Sequence, residues 1–214
     1  GLGIIACMSA PLGGLLSDLF NWRVALLALG VFGTSALTLI ALRYRETAAS
    51  RNLSALEPLT LLRNWAAVVR HPTFWAFSLL SGASYGGLFT FLASSSFVFI
   101  DVLGLSKTHY GLLMFTMSAA YISGTVLCRR LLSRFGVRRA VAIAGVLTLG
   151  GGTTLGVLAM LDLHTHWLSL LLPFCLFMLG HGVHQPCGQS GAVGSFPQTA
   201  GVAAALNGFF MMLI

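Results

Sequence analysis

HYGLLMFTMSAAYISGTVLCRRLLSRFGVRRAVAIAGVLTLGGGTTLGVLAML, residues 109–161, decides the fold class. Its two ends, 109–128 and 140–161, are apolar runs, and its middle, 129–139, carries Arg129, Arg130, Arg134, Arg138 and Arg139. A bilayer core of about 30 Å needs about 20 apolar residues at a rise of about 1.5 Å each. Each end meets that length, whereas a cluster of arginines does not rest in hydrocarbon. The pattern predicts two membrane-crossing helices joined by a short basic loop.

Working outward, the same pattern recurs over 1–17, 22–42, 73–100, 167–192 and 199–214, giving seven apolar runs in all. Helices fit these lengths better than barrel strands, and a helix satisfies its own backbone hydrogen bonds in lipid. The whole chain agrees: of 214 residues, 57% are hydrophobic and 8% charged, too few charges to cover a water-soluble globule. The expected fold is an all-α integral membrane protein with about seven transmembrane helices. Gly1 is not a start methionine, and both Gly1 and Ile214 fall inside apolar runs, so the chain reads as part of a longer one. No signal peptide is judged on such a start.

A net charge of +7 would suggest nucleic acid in a soluble protein, but here its distribution matters more than its size. Arg43, Arg45, Arg51, Arg63 and Arg70 lie between the second and third runs, and the second basic cluster is the 129–139 loop. Excess Lys and Arg in short loops marks the cytoplasmic side. The connections around Lys107, around Asp162 and His164, and around Pro197 are nearly free of positive charge, and orientation then alternates without contradiction. No nucleic-acid partner is expected; the bilayer is the partner.

Residues 43–71 form the polar segment of the chain and read as a cytoplasmic linker between two bundles, ending where Pro72 starts the next helix. Within it Leu59, Leu62, Trp65, Ala66 and Val69 share one helical face, as in a short interfacial helix. Cys7, Cys128, Cys175 and Cys187 show no CxxC spacing and read as small buried hydrophobes.

The apolar runs hold no carboxylate, lysine or arginine at mid-depth; Asp18, Arg23, Asp101 and Arg129 lie near helix ends. The deepest polar element is GHGVHQPCGQSG, residues 180–191. At about 100° per residue, His181, His184 and Gln185 share a face, with Gln189 one turn past Gln185. Pro186 frees the carbonyl of Gly182 and predicts a bend, while the neighbouring glycines permit close helix contact. Four readings are open for this stretch. His181 and His184, with Cys187, have the spacing of metal ligands, but no second Cys/His cluster lies at depth. GQSG at 188–191 has the form of an intramembrane hydrolase nucleophile, Ser190, yet no histidine follows it on a later helix. The histidines either bond to neighbouring helices as packing groups or line a path for substrate or protons. In the third run Tyr85, Phe89 and Phe91 beside Ser81, Ser84 and Ser94 have the composition of an adaptable pocket and equally of a lipid-facing helix.

Taken in order, these segments resemble the major facilitator superfamily, and within it the bicyclomycin-resistance (Bcr/CflA) type of drug:proton antiporters. SAPLGGLLSDLFNWR, 9–23, resembles the superfamily's antiporter motif at Pro11, Gly13, Gly14, Trp22 and Arg23, with Ala6 and Ala10 in place of glycines. RYRET, 43–47, is similar to the end of the family's sixth helix, with Arg45 where a proline is common. LFTFLASSSFVFIDVLGLSKTHYGLL, 88–113, is similar to the seventh helix and the turn into the eighth, with Ser96 where a proline is frequent. RRLLSRFGVRR and FPQTAGVAAALNGFF resemble the basic loop after helix eight and the eleventh helix.

The resemblance implies that the runs are helices five to eleven. Residues 1–42 would then end the N-terminal bundle, 43–71 link the bundles and 72–214 form the C-terminal bundle. It implies proton-coupled efflux of small hydrophobic or amphipathic drugs across the bacterial inner membrane, by a monomer that rocks two bundles around a midplane site. The proton gradient would drive it, with no cofactor, no metal and no enzyme chemistry. Ala6, Ala10, Pro11, Gly13 and Gly14 would shape the bundle interface, and Arg134, Gly136, Arg138 and Arg139 the cytoplasmic loop. His181, His184, Gln185, Gln189, Tyr85 and Asn207 are the candidate lining residues. The proton-titrating carboxylate is expected outside these residues, so the fragment would not transport by itself. A same-fold metabolite exporter or importer, and more remotely a hydrolase using Ser190, are the alternatives.

Overall fold

The computed structural model describes residues 12–17, 19–44, 57–161 and 166–214. Residues 12–17 are helical, and Asn21 then caps the next helix, α1 (Trp22–Arg43), its side-chain oxygen accepting from the amides of Arg23 at 2.9 Å and Val24 at 3.2 Å. No residue of α1 is buried, although it is apolar on every side. In water that would be ruinous; in hydrocarbon it is the ordinary state of a membrane span. The hydroxyls of Thr34 and Thr38 donate to the carbonyls of Gly30 and Thr34, each at 2.8 Å, so neither needs a solvent partner.

After the linker come α2 (Pro58–Val69) and α3 (Pro72–Ser96), each opening on a proline whose missing amide no helix would have used. A π-helical turn, Phe97–Val102, extends α3 and places Asp101 at its exposed end. Next follow α4 (Lys107–Met160), α5 (Trp167–Gly194), a single 3₁₀ turn (Pro197–Thr199) and α6 (Ala200–Leu213). Among the described residues every regular element is helical.

The 54 residues of α4 would span roughly 80 Å if straight, far beyond one bilayer. Instead Gly136 leaves the helical dihedrals at φ 73°, ψ 173°, a region open in practice only to glycine. The contacts show that the chain folds back there. A Cβ added to Gly182 of α5 would lie 2.8 Å from Cα of Gly124, and one added to Gly180 would lie 2.6 Å from the Ala144 carbonyl oxygen. Along a straight helix Gly124 and Ala144 would stand roughly 30 Å apart. Both arms therefore lie at one height against α5, and the two runs expected from the arginine-rich centre are the two arms.

Helix α5 is the axis of the bundle. On its way from Trp167 to Gly194 it meets the first arm through Gly182, the second through Gly180, and α3 through Gly188 and Gly191, which face Ser81 and Phe77. Close approach at small residues is how helices associate where the hydrophobic effect does not press them together. Three apolar clusters fill the interior. Phe99, Met114, Met117, Leu170, Phe174 and Met178 form the first. Cys128, Leu131, Ala140, Ala144, Val183 and Cys187 form the second. Val68, Phe74, Ala192, Ala203 and Leu206 form the third.

Candidate transport path

Five hydroxyl-bearing residues on exposed faces show how this chain treats polar atoms in lipid. Thr90, Thr116, Ser123, Thr153 and Thr154 each donate to a carbonyl four residues back, at 2.6–3.1 Å. Their bonding is complete within one helix. The interior behaves differently. There the polar side chains of α3, α5 and α6 reach across to one another, and among the described residues two buried side-chain atoms stay unpaired.

His181, nearly at the middle of α5, is buried and holds Nδ1 2.7 Å from Ser84 Oγ of α3. Its ring lies against Phe177 and Tyr121, with centroids 6.2 and 5.5 Å away. Buried Asn207 of α6 accepts from Ser81 Oγ at 3.3 Å, and the same hydroxyl lies 3.1 Å from the carbonyls of Phe77 and Ser78. Gln185, one turn beyond His181, points its amide nitrogen at Met211 Sδ, 3.2 Å away, while its Oε1 is buried with no partner. Ser78 Oγ is likewise buried and unpartnered. These residues form one belt across three helices.

His184 faces another way. Its Nε2 lies 3.2 Å from the Val141 carbonyl oxygen on the second arm of α4, a bond that requires the proton on that nitrogen. It also borders an open cleft of about 430 Å³ with Ser84, Thr148, Thr153 and Phe177. The stripe read along one face thus divides between two neighbours.

Tyr85 is half-buried on α3 with its ring 4.7 Å from Phe89, one residue away from the Ser84 pair. Gln189 lies on the exposed side of α5, outside the belt. Gly188 and Gly191 take the contact with α3, and Gln189, about 100° round from Gly188, is turned away. Of the lining candidates, the structure brings His181, Gln185 and Asn207 together through Ser81, Ser84 and Met211. Sequence reasoning missed Ser78. Its signal was the spacing of Ser78, Ser81 and Ser84, three apart along α3.

Ser190 donates to its own helix, at 2.6 Å from the Pro186 carbonyl and 3.4 Å from that of Cys187. With His181 on Ser84 and His184 on Val141, neither histidine is bonded to Ser190. Cys128 and Cys187 are buried with their sulfurs 3.7 Å apart, as small core residues. Among the described residues no group of three or more Cys, His, Asp or Glu could hold a metal ion.

Ala6, Ala10 and Pro11 lie outside the described residues. Gly13 has open space around it, whereas a Cβ on Gly14 would lie 3.0 Å from the Lys107 carbonyl and 3.7 Å from Cα of Gly111, at the start of α4. Arg134, Arg138 and Arg139 flank the Gly136 reversal and are exposed, with Arg134 5.4 Å over the Phe135 ring.

Membrane-length helices closed around an internal polar belt are the architecture of a multi-pass membrane protein. The chain belongs to the Major Facilitator Superfamily, whose family model matches residues 1–214. It is 30% identical over 207 residues to Multidrug resistance protein D of Escherichia coli, covering 96% of this chain and 50% of that protein. To the Bicyclomycin resistance protein homolog of Haemophilus influenzae it is 24% identical over 206 residues, 96% of this chain and 51% of the other. An uncharacterized MFS-type transporter of Bacillus subtilis, YdgK, is 25% identical over 221 residues, 98% of this chain and 52% of its own length. The chain spans about half the length of these curated relatives. Two of these relatives are named for drug resistance.

Proposed function

We propose that this chain forms the substrate-facing part of a proton-driven antiporter that expels small hydrophobic or amphipathic drugs across the bacterial cytoplasmic membrane. One observation carries the reading. Exposed hydroxyls are satisfied within their own helices, yet Gln185 Oε1 and Ser78 Oγ are held unpartnered at the centre of the bundle. A buried polar atom without a partner costs about 1–3 kcal/mol, and in a transporter that cost has a use. An N–H or O–H of a passing solute, or a proton-bearing water, would complete the bond. The resistance names of two relatives support drugs as that solute.

In this reading His181, Gln185 and Asn207 contact the solute or proton, and Tyr85 and Phe89 give it an aromatic wall. Gln189 and His184 line its approaches. Pro11, Gly13 and Gly14, with Ala6 and Ala10, let the two halves of the transporter meet closely. The segments 43–71 and 129–139 face the cytoplasm, as their arginines direct. The protein works as a monomer, and its chemistry is conformational, with no bond made or broken.

The test expresses the complete reading frame that contains this chain in a bacterium stripped of its major efflux pumps, and follows accumulation of a fluorescent drug panel with and without a protonophore. Expression is expected to lower accumulation, the protonophore to restore it, and His181→Ala to abolish the difference at unchanged expression. Exclusion of no drug in the panel would sink the drug reading in favour of a metabolite carrier. Exclusion that survives the protonophore would sink proton coupling.

A further inference from the structure

Cys128, on the first arm of α4, and Cys187, on α5, are 59 positions apart in the chain, yet their sulfurs stand 3.7 Å from each other and both side chains are buried. The Val183 carbonyl lies 3.9 Å from Cys128 Sγ, and the rest of the buried cluster around the pair is Leu131, Ala140, Ala144 and the Val183 side chain. The backbone fixes this meeting. About one turn earlier, a Cβ on Gly182 would lie 2.8 Å from Cα of Gly124, so the two helices run the same way in main-chain contact and bring both thiols to nearly one level.

Two thiols held across a helix contact can share one atom. At 3.7 Å the sulfurs are too far apart for a disulfide, whose bond is about 2.05 Å. The distance instead matches two sulfurs on one soft atom, since bonds of about 2.3 Å meeting near the tetrahedral angle set them roughly 3.8 Å apart. Two further restrictions narrow the ligand. The cluster is apolar, and a charge left inside it would be costly, so reagent and product should both be neutral. Among the described residues no third Cys, His, Asp or Glu joins the pair, so the ligand must complete its own coordination.

Trivalent arsenic meets both conditions. Arsenous acid is uncharged at neutral pH and takes three ligands, the third of which is its own hydroxyl. Each thiol replaces one hydroxyl: two As–O bonds and two S–H bonds break, two As–S bonds form, two waters leave, and no electron changes hands. The product is neutral. A monovalent soft ion on the same two thiolates would leave a negative charge among leucine, valine and alanine. Entry need not cross the bilayer, because Cys128 is followed directly by exposed Arg129 and Arg130 at the end of the apolar run.

We propose that Cys128 and Cys187 form a dithiol site for neutral trivalent arsenic compounds, and that the bound arsenic staples the first arm of α4 to α5. The site is separate from the polar belt and holds whatever solute the protein carries.

The complete protein containing this chain is purified in detergent, reduced with a phosphine, incubated with arsenite at neutral pH and desalted. Arsenic per protein is then counted by mass spectrometry. The parent is expected to retain one arsenic more than Cys128→Ala or Cys187→Ala, and Cys175→Ala to match the parent. Arsenite is expected to raise the unfolding midpoint of the parent by a few degrees, and a small dithiol to reverse the rise, with neither alanine variant responding. In a variant that keeps only Cys128 and Cys187, X-ray absorption should show two sulfurs and one oxygen on the arsenic. Equal arsenic in the parent and Cys128→Ala would overturn the proposal, and so would a shell with one sulfur. A midpoint that falls with arsenite would overturn it too, since the thiols would then be captured in the unfolded chain. If the two-cysteine variant does not fold, the count and the midpoint on the single variants decide the question.

Discussion

Gln185 sets stability against use at the scale of a single residue. Its buried Oε1 has no partner and its amide meets only a sulfur, so Gln185→Met, close in size and without the unmet acceptor, should stabilise the bundle by about 1–2 kcal/mol. Thermal unfolding of the purified protein would show a higher midpoint, and the same variant should lose drug efflux in cells. A lower midpoint would mean that the glutamine is a packing group. The polar stripe that contains it was legible from helical phase alone, because His181, His184 and Gln185 stand three and four residues apart. What each one touches was not legible. Ser84 lies 97 positions from His181, and Val141 lies 43 from His184; nothing in the local sequence measures such pairings. Gln189 lay on the stripe by spacing and yet faces outward, because the adjacent glycines decide which side of α5 is in contact.

Elements were easier to read than their contacts. Lengths and arginine clusters located both arms of α4, its turn and the spans beside it, since the cost of charge in hydrocarbon is large and local. The sharpness of the turn was not readable, because glycines are scattered through these runs and only the backbone shows that Gly136 is the one with a positive φ there. Gly136→Ala is expected to destabilise the hairpin by about 1–3 kcal/mol, measured as a lower unfolding midpoint in detergent. Gly136→Asn should do little better, because the ψ of 173° lies outside the left-handed helical region that asparagine tolerates. A normal midpoint for either would show that the reversal does not depend on glycine. The linker helix gave a second lesson at this scale. Its apolar face was visible in the sequence, but Val68, off the centre of that face, is the residue that docks.

For the whole molecule, the relation between its parts turns on Gly14. The helical stretch 12–17 comes close to Lys107 and Gly111 at this one glycine, where a side chain would meet backbone. Gly14→Leu should leave the unfolding midpoint within a few degrees of the parent while abolishing the proposed efflux, because it holds apart two elements that a rocking cycle would need to bring together. Loss of folding instead would make the contact a structural seam. Composition and charge were enough to see a membrane bundle, and motif order was enough to see its superfamily. They were not enough to name a solute, because a solute is recognised by a few atoms at the meeting of distant helices.

The reversal at Gly136 has a mechanical consequence. A hairpin closed by one residue has no slack, so neither arm of α4 can slide lengthwise past the other without unwinding a turn of helix. Sliding of α5 along the pair is blocked as well, since its glycines interlock with both arms at the same level. The three rods are left with one easy motion, tilting together as a plate. The arginines at the turn sit at the rim of that plate, where distance from the axis of tilt turns a small change of angle into a larger displacement.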